Sequence, residues 1–562
     1  MFDQQYKNRS RYFWILIFFI LFPVYIAGID RPLRDAESKY AEIPREILVT
    51  GDWITPHLNY TNYYTKPPLT FWITALAYKI FGVSPWVARL TNICWAFTAS
   101  LMTGILASKM FGSTTGPIAS AIFLLTSEVY AYCLDAGIEF GLISCNISAL
   151  LFFWLYENSH TKRKLFLRLF YVCIGLSFLA KGLLGLTLPL AIVFVYLTVC
   201  KELNKIKTLF DPIGIFLFLS LTIPWLVLIS LQHPDFLKCF IINEHLGRIL
   251  GTLDSKDSLF PTSIFLAHVV GEFFPWTIYV PFICDVTSTY WKKKGEKKKI
   301  VFLITWSLIP LLLFSIAKCK VDFYSLHIYP PLFIILSVAV EKIITQNQEI
   351  RIIRWWKYLW LCLAVIAIIC YFILTLGSKS ELITILDIPS FKIARRFLLV
   401  SFAFNILMFF LLLKGRIKGS FFLLFCYMIV FFFFTKEMYV ADFSKDSIKF
   451  AADIYNIRST NKADSLLFSE ELPEFAHIAI LSFYTNRPAY FLRDPKNSRL
   501  YFIQKDRMKM CFDEEEFLTL VKKGTKIYFV GNTKKTKRRF SRMGIRFKII
   551  AENGPRAVFE IN

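Results

Sequence analysis

Apolar runs long enough to cross a bilayer recur from residue 12 to residue 435, and they restrict this chain to one broad architecture. A helix needs about 20 mostly apolar residues to span hydrocarbon, and its backbone polar groups must all be satisfied within the protein. About thirteen runs qualify: 12–29, 85–111, 115–133, 136–156, 165–180, 183–200, 212–231, 261–283, 300–317, 327–344, 355–376, 395–414 and 418–435. A composition 56% hydrophobic and 17% aromatic excludes an ordinary soluble domain. The first run follows Lys7, Arg9 and Arg11, as a signal peptide would. Asp30 and Arg31 come directly after it and no small-residue cleavage site appears, so it is expected to stay as the first helix.

The net charge of +24 does not point to nucleic acid, because much of it lies in short loops between apolar runs. Lys162, Arg163, Lys164 and Arg168 form one such loop; Lys201, Lys205 and Lys207 form another, and WKKKGEKKK at 291–299 a third. The positive-inside rule places these loops in the cytoplasm together with the N-terminus. An odd number of spans then puts everything after residue 436 outside. The outside set is different in kind: residues 30–84, the Asp135 turn, the Lys181–Gly182 turn, 233–260, 317–325 and 377–392. Acidic, histidine and tyrosine residues gather there, so that face is where chemistry is expected. Most of the twelve cysteines are scattered singly in apolar runs with no CxxC pair, which reads as buried small hydrophobes.

Composition shifts after residue 435. Strand-like runs at 465–468, 526–530, 547–551 and 557–561 alternate with helix-like stretches at 444–457 and 513–523. The expected division is a helical membrane domain over 1–435 and a compact outer α/β domain over 436–562. The basic run TKKTKRRFSR at 533–542 fits either anionic headgroups or a solvated surface.

Residues 34–72 are the exception among the oily segments. They read RDAESKYAEIPREILVTGDW, then a polar and aromatic connector, then YYTKPPLTFW. A helix is expected over 36–49 with Gly51 near its stop. Asp35 is then an N-cap, Glu37 a first-turn acid, or either one a working carboxylate. Two helical residues turn by about 200°, so the pair should not aim at one point. Lys66 precedes Pro67 and Pro68, which hold it extended at the start of another helix. A cation beside a helix N-terminus suits phosphate, while the plain alternative is a snorkelling lysine.

The other outside turns offer weaker signals of the same kind. Asp135 caps a span or, with Glu139, faces a polar cavity; Lys181 ends a helix before Gly182. His245, beside Glu244 and near Arg248, suits a metal, a phosphate or a structural role. Lys318, Lys320, Asp322, Tyr324 and His327 form a turn able to grip an anionic headgroup. No Walker or GxGxxG pattern occurs in the outside loops, so any activated donor used here is expected to be lipid-linked.

The loop RDAESKYAEIPREILVTGDW followed by YYTKPPLTFW resembles the first outer loop of bacterial polyprenyl-phosphate-dependent glycosyltransferases. The nearest resemblance is to the lipid A aminoarabinose transferases, a family related to protein mannosyltransferases. Further matches are Leu134-Asp135, AKGLLGLTLP at 180–189, NEHLGR at 243–248, Lys320 to Tyr324 with Pro330, and LSFYTNRPAYFL at 481–492. The resemblance implies a GT-C fold with about thirteen membrane helices, juxtamembrane helices within 30–84 and a periplasmic α/β domain. It also implies transfer of a sugar from a polyprenyl-phosphate carrier to lipid A or another envelope glycolipid, at the bacterial inner membrane.

By the same resemblance Asp35 is the principal carboxylate, with Asp135 and Glu37 beside it. Lys66, Lys181, Arg248, Lys318 and Tyr324 meet the carrier phosphate. His245 matches a histidine able to join a divalent metal site. Relatives in the aminoarabinose branch carry glutamate immediately before the lysine of the KP pair, where this chain has Thr65. That removes one carboxylate ligand, so no cofactor is required by these residues. The expected partners are a polyprenyl-phosphate sugar, a lipid acceptor and the membrane, without nucleic acid. The rival functions are a transporter or flippase of lipid-linked sugars and a protein O-glycosyltransferase. Charges at the ends of the spans, not at mid-membrane, argue against transport.

Overall fold

The computed structural model describes residues 2–250, 261–318, 320–346, 351–376, 389–443, 447–458, 465–470, 476–492 and 510–561. Each of the expected apolar runs is helical where described. Among the described residues seven helices are long and apolar enough to cross a membrane, among them Pro85–Phe111, Glu139–Asn158, Pro212–Gln232 and Lys297–Ile316. A further pair, Thr262–Glu272 and Trp276–Lys292, meets at 86° and forms either a broken span or a re-entrant loop. The expected run 115–133 is also divided, into Thr115–Leu124 and Ser127–Cys133. Side chains take up the carbonyls released near that break. Tyr25 Oη donates to Leu124 O at 2.6 Å, and Trp276 Nε1 to Ile122 O at 3.1 Å. The chain is a multi-pass membrane protein, and among the described residues length and composition alone mark seven or eight of the expected spans.

The two ends of the helical bundle differ as the charge pattern expects. At one end the basic loops meet: Lys298 pairs with Glu202 at 2.7 Å, Lys205 with Glu157 at 2.6 Å, and Lys342 lies 4.9 Å from the Tyr290 ring. The helix Asp35–Thr50, the Asp135 turn, the Lys181–Gly182 turn and the short helix Asp322–His327 gather at the other end.

The C-terminal part folds as an α/β domain. Its six strands run in the order Cys511–Phe512, Tyr490–Leu492, Ser465–Glu470, Lys526–Asn532, Arg556–Ile561, Lys548–Asn553. The first four are mutually parallel, and the last two add antiparallel. Side chains alternate across this sheet as the strand period requires. Phe468, Phe529 and Phe559 meet Phe517 and Phe540, from the helices Glu514–Lys522 and Thr533–Arg542, on one face. Leu467, Tyr528, Val530 and Val558 face the other way, into a core shared with Leu33, Ala41, Val87 and Ala136. The basic helix Thr533–Arg542 therefore lies on the face turned away from the helical bundle, where Lys534, Lys535, Lys537 and Arg538 are exposed. Of the two readings of that run, the solvated surface fits this placement.

Docking of the domain is polar and specific. Asn59 donates to Ala489 O and accepts from Ala489 N, both at 2.8 Å. Arg45 Nη1 donates to Asn486 Oδ1 at 3.0 Å, and Leu33 N to Tyr484 Oη at 3.0 Å. Three residues of the run LSFYTNRPAYFL thus hold the domain on the charged loop.

Candidate active site

The helix expected over 36–49 spans Asp35–Thr50 and stops at Gly51, whose φ of 72° is the left-handed conformation that glycine adopts freely. Arg34, not Asp35, takes the cap position, and Arg34 N donates to Glu37 Oε1 at 2.8 Å. The Asp35 side chain lies outside the described residues, as do those of Arg248 and Asp322.

Glu37 is the hub of a buried clamp. Its Oε1 accepts from Arg31 Nη1 at 2.9 Å and Arg89 Nη2 at 2.6 Å, and its Oε2 from Arg89 Nε at 3.0 Å and Ala136 N at 2.8 Å. Burial alone would raise its pKa; the Arg89 and Arg31 charges outweigh that and hold the carboxyl below its usual range. Both oxygens are engaged inside the protein, so Glu37 holds Arg31, Arg89 and the Asp135 turn in place. Arg89, fully buried, also donates to the carbonyls of Arg31 at 2.7 Å and Pro32 at 2.9 Å.

Asp135 sits at the edge of this clamp. It pairs with Arg31 and lies 3.9 Å from Arg34 Nη1. Burial, then the neighbouring Glu37 carboxylate, push its pKa up to about 6 against the pull of the two arginines. The turn that carries Asp135 leads straight into the helix Glu139–Asn158.

Glu139 opens that helix and gives both carboxylate oxygens to Lys181 Nζ. Lys181 ends the helix Arg163–Lys181 and lies 4.9 Å from the Phe323 ring and 5.6 Å from that of Tyr324. Tyr324 is stacked on Phe314 with 4.1 Å between centroids. His327 is buried beside them, its pKa pulled down to about 3 by burial and then by the Lys181 ammonium. Lys318 stands exposed, with no ion pair to a described residue. Lys320 is buried and donates to Ala317 O at 2.6 Å, so it braces its own turn.

Lys66, extended before Pro67 and Pro68, pairs with Glu244 on the π-helical segment Lys238–Leu246. The next residue, His245, accepts from Leu183 N at 3.2 Å through Nε2, and its Nδ1 lies 2.6 Å from Phe240 O. Both ring nitrogens are therefore engaged by backbone, and burial first, then the Lys66 charge, lowers the ring's pKa. In this arrangement His245 is a strut between the segment 238–246 and the Gly182 turn. Among the described residues no three His, Cys, Asp or Glu side chains group so as to hold a metal ion. Gly182 makes the contact possible. At φ +75° a Cβ on it would lie 2.7 Å from His245 Nε2. Through His245 and Gly182 the Lys66–Glu244 and Lys181–Glu139 pairs become neighbours at one end of the bundle.

Residues 65–228 match the family model of dolichyl-phosphate-mannose-protein mannosyltransferases. The undecaprenyl phosphate-alpha-4-amino-4-deoxy-L-arabinose arabinosyl transferase of Photorhabdus laumondii is 26% identical over 66% of each chain. Its counterpart from an Enterobacter species is 28% identical over 57% of each. The matched region thus spans less than two thirds of those relatives. The crystal structure of ArnT from Cupriavidus metallidurans bound to undecaprenyl phosphate superposes with a TM-score of 0.79 at 21% identity, covering 97% of both chains. The chain has the GT-C fold.

Within the GT-C fold, the resemblance read from the loop at 34–72 holds in sequence and structure alike. Reading the sequence missed Arg89 and the partners of both lysines. Arg89 left one signal, a charge inside an apolar run, which is costly unless paired.

Proposed function

We propose that this chain is an integral-membrane glycosyltransferase that moves a sugar from a polyprenyl-phosphate carrier to a lipid acceptor of the cell envelope. The observation that carries the reading is that His245, next to the Glu244 that holds Lys66, also binds the turn just after Lys181, at the bundle end that bears the α/β domain. Similarity to the undecaprenyl-phosphate arabinosyl transferases supports the donor class. The same similarity supports the bacterial inner membrane as its location, and the basic loops at the opposite end favour this end as the periplasmic one.

In the reaction the bond between the anomeric carbon and the phosphate oxygen breaks, and the oxygen keeps the electron pair. An acceptor oxygen forms the new bond to the sugar. Lys66, Lys181 and Tyr324 are assigned to the carrier phosphate by the family resemblance, and the two ammonium groups would stabilise the charge that builds on it. A phosphate acceptor is already nucleophilic. A hydroxyl acceptor must lose its proton, and the family resemblance assigns that role to Asp35. The residues need no metal ion for these steps.

Purified protein supplied with radiolabelled polyprenyl-phosphate sugar and extracted envelope lipid should produce labelled lipid, and Asp35→Asn should reduce turnover by at least 100-fold (~3 kcal/mol). Full turnover in that variant would remove Asp35 from the reaction. Movement of labelled carrier across vesicles without transfer would establish the flippase reading instead.

A further inference from the structure

Lys66 and Lys181, the two lysines set against the carrier phosphate above, are each already engaged by a glutamate. Lys66 holds Glu244 with side chains 12% and 8% exposed, and Lys181 holds Glu139 with both 10% exposed. A site that only had to attract phosphate would gain from leaving its ammonium groups uncompensated, since buried cations attract anions far more strongly than solvated ones do. Two carboxylates instead balance two ammonium groups. The two pairs are built differently. Glu139 offers both oxygens to Lys181 from the first turn of a membrane helix. Glu244 offers one oxygen, from a nine-residue π-helical segment. Such segments are often found at functional sites, where the extra residue per turn allows a local change of register.

The charge on the carrier changes during turnover. The sugar-loaded carrier is a phosphodiester with one negative charge. The spent carrier is a phosphomonoester, whose second pKa near 6 leaves it with about −1.5 to −2 at pH 7. We propose that Glu244 is a counter-charge for product release: it yields Lys66 to the singly charged donor and competes for that lysine when the more highly charged spent carrier must leave. Glu139 stays on Lys181 throughout and keeps the site's net charge low. This deepens the function proposed above and rests on it.

The test measures binding of polyprenyl monophosphate and of a polyprenyl-phosphate sugar to detergent-purified wild type, Glu244→Gln and Glu244→Asp, with steady-state and single-turnover kinetics. Glu244→Gln should bind the monophosphate about tenfold more tightly relative to the diester, and show stronger product inhibition. Its kcat and KM should fall together while the single-turnover rate is kept. Glu244→Asp, which keeps the charge, should retain the wild-type preference. An unchanged ratio of monoester to diester affinity in Glu244→Gln, or weaker monoester binding, would overturn the inference while leaving the glycosyltransferase reading in place. A wild type that binds neither lipid would overturn both.

Discussion

At the residue scale, Glu37 and Asp135 show how neighbours divide the roles of two carboxylates only a few ångströms from the same arginine. Glu37 is enclosed by Arg31, Arg89 and two backbone amides, so its charge is fully compensated. Replacing one partner leaves a buried charge unmatched, and Glu37→Gln should cost about 3–5 kcal/mol, read as a lower unfolding midpoint in detergent. Asp135 behaves oppositely. Its pKa of about 6 lies above that of an unfolded chain, so the folded protein holds the proton more tightly. The stability Asp135 lends is therefore complete below about pH 4 and is lost as pH rises through about 6. A pH profile of carrier turnover should carry an inflection near 6 that disappears in Asp135→Asn. The sequence showed both acids as candidates beside Asp35, without saying how they differ. The difference was hidden because Arg89 lies 52 positions from Glu37 along the chain and joins it only in the fold.

Elements carry the next level of the account. The end of the helix Arg163–Lys181, the turn at Gly182 and the segment Lys238–Leu246 are held together by a single histidine ring and the space left by a missing Cβ. Gly182→Ala would bring a methyl group against His245 and Phe240 at a positive φ, a strain of about 1–3 kcal/mol. Carrier affinity should fall in this variant more than the unfolding midpoint does, since the contact orders Glu244 and Lys181 rather than the core. Equal affinity for the carrier would show that the strut is dispensable. Hydropathy made the helices themselves legible, and the Lys181–Gly182 turn was read as a helix stop. The hydrogen bonds of His245 were not legible, because nothing local to INEHLGRIL shows that Leu183 N will meet its ring. The run at 481–492 was recognised by likeness alone; its purpose became clear when Tyr484, Asn486 and Ala489 were found on Leu33, Arg45 and Asn59.

For the whole molecule, charge sidedness was the most informative property of the sequence. Basic loops meet at one end through Glu157 and Glu202, and the mixed-charge turns meet at the other beneath the α/β domain. Among the described residues seven or eight spans pass on length and apolarity, while other apolar helices, such as Thr115–Leu124 and Leu183–Val199, are too short to pass. The account depends on Lys66 and Lys181, 115 positions apart in the chain, serving one phosphate. The most direct measurement is the affinity of the purified protein for polyprenyl monophosphate in a double-mutant cycle of Lys66→Ala and Lys181→Ala. Each single variant should lose at least tenfold, and the double variant should lose less than the product of the two, as expected of two groups on one ligand. Losses that multiply independently, or wild-type affinity in either single variant, would contradict a shared site.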